Sequence, residues 1–78
     1  ITLSDDRMEL VAFVVRPKAK IIGKVLSKEL PKDSLVGLVI RDGVPEVPNE
    51  DFRAAAGDRI LVMSMPHVIS KVKKEFIP

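Results

Sequence analysis

The side chains able to do chemistry are few and dispersed. The chain has one histidine, His67, and no cysteine. Its serines (Ser4, Ser27, Ser34, Ser64 and Ser70) sit in ordinary contexts, so no nucleophile and base pair is available for a catalytic triad. As a metal ligand or pH-sensing group, His67 would need support from a second histidine or a cysteine. Its plainer reading is a partly exposed residue at a helix start. Glu50 and Asp51 with Asp58 fit no Ca²⁺ loop spacing and read as a solvated turn and a helix-start carboxylate. Gly23, Gly37, Gly43 and Gly57 fall on separate turns, which excludes a phosphate-cradling loop. The expectation is a protein that is not an enzyme. Among the cations, most read as solvated surface. Arg41 stands apart because it directly precedes a turn at the end of an apolar run. It can pair with Asp42, Glu46 or Asp58, or bind an anion at a subunit interface.

The elements that must position these groups are organised around residues 35–64. Leu35–Ile40 is apolar or small and rich in β-branched residues, which predicts a buried strand extending to Arg41. Asp42-Gly43 is a two-residue hairpin signal, since a type I′ turn needs positive φ at both central positions. Val44–Val47 is then the antiparallel partner, and Pro45, lacking an amide donor, places it at an edge. Gly57-Asp58 marks a turn into a further strand over Arg59–Ser64. Met8–Val15 predicts the first strand, apolar on both faces and therefore covered on both sides. A short helix is expected over Lys24–Glu29, stopped by Pro31. A second, over His67–Phe76, has Pro66 in its first turn and Val68, Ile69, Val72 and Phe76 on one stripe. Asn49–Ala56 could form one helical turn, with Phe52 plugging the core. The order is β-α-β-β-β-α, an α+β fold with a mostly antiparallel sheet.

Seventy-eight residues make one domain. Residues 1–7 read as a linker from a preceding domain and residues 8–78 as the domain itself. Ile1, in place of a methionine, predicts a piece of a longer chain or a processed product. A domain this small buries roughly 60% of its unfolded surface. With no cysteine staple and an aliphatic core, it is expected to gain core by pairing with a copy of itself. The net charge of +2 is too mild to argue for nucleic acid. No apolar run approaches the ~20 residues of a membrane span, and no signal-peptide pattern is present.

Several strings now form an ordered set: Ile22-Gly23-Lys24 with Leu26, Leu30-Pro31, Val36 to Arg41 with Gly43, Pro48, and Gly57-Asp58 with Ile60 and Val62. This set resembles the TrkA-C (RCK_C) domain family over nearly the whole chain. Ser64-Met65-Pro66 is a mild departure where the family often has a small residue. The resemblance implies a cytoplasmic regulatory domain of a potassium or other cation transport protein. Such domains sit behind an RCK_N domain or are attached to a membrane transporter. The resemblance also implies a homodimer, whose interface in several family members binds cyclic di-AMP. By position, the resemblance points to Lys32, Val36, Pro48 and Asn49 as ligand-binding residues, and Arg41 joins them as the anion-binding candidate read from its place before the turn. No other cofactor is expected, nor any direct contact with nucleic acid or insertion into a membrane. Two alternatives stand beside this one. The chain could be a dimerisation and coupling module without a small ligand, or the regulatory module of a DNA-binding transcription regulator.

Overall fold

The computed structural model describes residues 8–78; the expected linker, residues 1–7, lies outside the described residues. The elements are β1 (Glu9–Val14), α1 (Leu26–Glu29), β2 (Ser34–Arg41), β3 (Val44–Glu46), β4 (Arg59–Ser64) and α2 (Ile69–Glu75), with a single 3₁₀ turn at Pro66–Val68 leading into α2. The α+β reading and the order of elements hold. One four-stranded antiparallel sheet is formed, in the order β1-β4-β2-β3.

The hairpin between β2 and β3 forms as its residues dictate. Arg41 faces Val44 across the turn, and Asp42 and Gly43 have φ of 52° and 78°. Those are the two positive values a type I′ turn requires. Gly43→Val would force a β-branched side chain into the left-handed region, at an expected cost of about 1–2 kcal/mol. Chemical denaturation of the variant checks this, and an unchanged midpoint would refute the strain. Pro45 lies in β3, the edge strand, as the missing donor requires.

Two expectations are corrected. Residues 49–56 form no helical turn. Asn49 Oδ1 accepts from the Asp51 amide at 2.9 Å, which turns the chain locally. Ala54 and Arg53 then form isolated bridges with Ile22 and Val25. The bridge at Val25 also explains why α1 begins at Leu26 and not at Lys24, since Val25 is extended, with ψ of 115°.

The sheet has two unlike faces. On one, Phe13, Val36, Val39, Ile60 and Val62 pack with Val15, Ile21, Leu26, Ala54, Val72 and Phe76, and the Phe13 and Phe76 rings stack at 4.8 Å. On the other, the register aligns Leu10 with Met63 and Leu35, and Ala12 with Leu61 and Leu38. Nothing in the described chain covers this second face. Leu35 is 62% exposed and Val14 50%. The pairing shifts between Val36 and Leu38, leaving Gly37 as a bulge. The bulge lets Val36 and Val39 both face the core despite their odd separation.

Candidate functional site

Two constructions arise where the loops meet the sheet. The first is a clamp centred on Arg41. Its Nε donates to Asp58 Oδ1 at 2.9 Å and its Nη2 to Asp58 Oδ2 at 2.7 Å. Nη2 also donates to the Arg53 carbonyl at 3.0 Å, and the guanidinium lies 4.7 Å from the centre of the Phe52 ring. Asp58 is buried and also accepts from the Ala55 amide at 2.9 Å. Burial pushes the Asp58 carboxyl up, but the Arg41 hydrogen bonds, the Ala55 amide and the Arg41 charge together hold it below its ordinary value. Arg41 is raised, chiefly by its hydrogen bonds to Asp58, against an opposing effect of burial. The planar fork of arginine fits a carboxylate bidentately, which lysine would not match.

The second is a cleft of about 440 Å³ at the end of the sheet where β2 begins. Leu26 and Ser27 from α1, Leu30 just after it, the turn at residues 31–34, Leu35 and Val36 from β2, and Pro48, Asn49 and Glu50 line it. The turn is held in place from behind. The Asp33 carbonyl accepts from the Met65 amide at 2.9 Å, and the Asp33 carboxylate stands 3.3 Å from His67 Nε2. Asp33 has φ of 71°, a left-handed conformation that aspartate tolerates. On the opposite wall, Ser27 Oγ donates to the Glu50 carbonyl at 2.9 Å.

The structure therefore brings together Lys32, Val36, Pro48 and Asn49 of the expected ligand residues, while Arg41 does not line the cleft. The structural alternative for Arg41, pairing with Asp58, is the one realised. Arg41 bonds instead to Arg53 and Asp58, in the segment that follows the cleft-wall residues Pro48 to Glu50. Sequence reasoning missed Leu26, Leu30 and Glu50 as cleft residues. Leu26 and Leu30 fall at helical spacing on one apolar face, and only Leu30-Pro31 beside a polar turn hints at a rim. The cleft offers one cation, Lys32, and two carboxylates, Asp33 and Glu50, beside apolar walls. His67 is 64% exposed, as its plainer reading expected. Among the described residues no group of three or more potential ligands could hold a metal ion.

The family model described as the TrkA-C domain matches residues 10–77. The chain is 34% identical over 76 residues to a Trk system potassium uptake protein TrkA homolog 1 of Methanosarcina mazei, covering 96% of this chain and 17% of that protein. It is 29% identical over 76 residues to TrkA homolog 2 of the same organism, again covering 96% of this chain and 17% of the relative. It is 28% identical over 79 residues to the TrkA homolog of Archaeoglobus fulgidus, covering 100% of this chain and 18% of that protein. The chain thus spans less than a fifth of the length of these relatives.

Proposed function

Because the chain belongs to the TrkA-C domain family, we propose that it is a regulatory module of a potassium transport system, working as a dimer that senses a small ligand. One observation carries the reading: the uncovered apolar sheet face and the cleft share Leu35, so a copy docked on that face would border the cleft. An aliphatic face of this kind, on a domain too small for a large core, gains most from a second copy of itself. A two-fold interface would present Lys32 and Asn49 twice, matching a ligand with two equivalent phosphates such as cyclic di-AMP. An RCK_N domain of the same system, or a membrane transporter it is attached to, would be its partner on the cytoplasmic side. No described helix is long and apolar enough to cross a membrane.

The test has two steps. Light scattering is expected to give a dimer, and Leu35→Glu to give a monomer, because a charge would then be buried at the interface. A wild-type monomer at concentrations on the order of tens of micromolar would refute the dimer. Calorimetry with cyclic di-AMP then tests the ligand. Lys32→Ala is expected to weaken binding by about 1.5–3 kcal/mol, the loss of a charged hydrogen bond. A dimer that binds no cyclic dinucleotide would instead favour a coupling module. The two carboxylates, Asp33 and Glu50, in the same cleft give that second reading its support.

A further inference from the structure

The cations of this chain are not evenly spread. Arg16, Lys18, Lys20, Lys71, Lys73 and Lys74 are all exposed. The backbone gathers them at one end of the molecule. The Arg16 amide donates to the Phe76 carbonyl at 3.1 Å, Ile21 to Glu75 at 3.1 Å and Lys20 to Ile77 at 3.3 Å. These bonds zip the loop after β1 to the last turn of α2. Val72 and Phe76 turn the buried stripe of α2 inward, so Lys71, Lys73 and Lys74 lie outward. The acid within this group is Glu75, which is half-buried. None of the six cations makes a salt bridge among the described residues. Favourable interaction with the carbonyl end of a short helix accounts for one or two lysines, not for six converging cations.

The position is informative. β4 runs from Arg59, beside Val14, to Ser64, beside Ser34. The cluster therefore lies at the sheet end opposite the cleft, on the helix side and away from the uncovered face. We infer that this cluster is a docking surface for an anionic lipid bilayer. Five of the six cations are lysines, flexible point charges suited to a diffuse layer of headgroups rather than to forked recognition of one group. An exposed aliphatic side chain, Ile77 at 38%, stands among them. No aromatic residue is exposed there to stack on a base, which argues against single-stranded nucleic acid. Docking by this end would leave both the cleft and the apolar face accessible.

Co-sedimentation of the purified chain with vesicles tests the inference. Binding is expected to vesicles of phosphatidylcholine with phosphatidylglycerol at low salt, to weaken as salt is added, and to be absent with phosphatidylcholine alone. Lys73→Gln with Lys74→Gln should weaken binding about thirtyfold, from roughly 1 kcal/mol per lysine near an anionic surface and tenfold per 1.4 kcal/mol. Lys18→Gln with Lys20→Gln should do the same from the loop side. Circular dichroism would establish that both variants stay folded. Lys32→Gln, at the opposite end, should bind as the wild type does. Failure to bind the anionic vesicles, or binding that both double variants retain, overturns the proposal. So does binding to polyglutamate without binding to vesicles, an outcome that would assign the cluster to an acidic protein.

Discussion

Phe76→Ala is expected to cost about 3–5 kcal/mol, the range for deleting a fully buried aromatic side chain. Phe76 is 1% exposed, lies at the end of α2, and stacks on Phe13 with the ring planes 6° apart. Its carbonyl also holds the Arg16 amide, so the ring and its backbone close the same corner of the core. At roughly 0.05–0.15 kcal/mol per residue, a domain this small has little stability in reserve. The variant should therefore be largely unfolded or nearly so in urea titrations run at one fixed protein concentration. Its neighbour Ile77, 38% exposed, supplies the contrast: Ile77→Ala should cost below about 1 kcal/mol. Similar losses at the two positions would mean that Phe76 does not fill the core as described.

Arg41→Ala ranks second, with an expected cost of about 2–3 kcal/mol. The substitution leaves the buried Asp58 carboxylate with the Ala55 amide alone and frees the Arg53 carbonyl. Adding Asp58→Asn should recover part of the loss, since the stranded charge would be gone. A double variant no more stable than Arg41→Ala would show that the carboxylate is not the source of the cost. The pair also sets a pH dependence. The carboxyl of Asp58 is held below its ordinary value in the folded protein, so the folded state binds its proton more weakly than the unfolded chain does. Its contribution is complete above the ordinary carboxylate range and is lost as pH falls through the lowered folded value. Wild-type stability should thus decline in acid, and Asp58→Asn should show a shallower decline over that window. Equal acid slopes for the two proteins would remove Asp58 from the account.

If the segment after Pro48 is held by this clamp, loosening it should reach the cleft. Hydrogen exchange is the direct measure. In Arg41→Lys, which keeps the charge but not the fork, the amides of Leu26 and Gly23 should exchange faster. They donate to the Phe52 and Ala54 carbonyls of that segment, each at 2.9 Å. Amides between β1 and β4 should keep their protection. Uniform loss across the sheet would instead indicate global destabilisation.

Much of the local architecture was legible from residue types, because those residues restrict φ or remove a donor within a few positions of themselves. Asp42-Gly43 specified its turn, Pro45 its edge, Pro31 the end of α1, and the stripe of Val68, Val72 and Phe76 the inward side of α2. Charge and spacing likewise identified Arg41 as unusual, and Asp58 among its possible partners. Tertiary structure alone decided the rest. Leu35–Ile40 is apolar throughout, so no alternation tells which side chains meet the core, and the bulge at Gly37 resolved it. The strand order placed β4 between β1 and β2, because the central position buries Ile60 and Val62 under both helices and leaves Leu61 and Met63 on the open face. Asp58 prevailed over Asp42 and Glu46 as the partner of Arg41 because it alone is buried, where a carboxylate must be paired. The cleft draws its walls from positions as far apart as Leu26 and Glu50. Contacts at that separation depend on how the whole chain packs, and a local pattern carries no record of them.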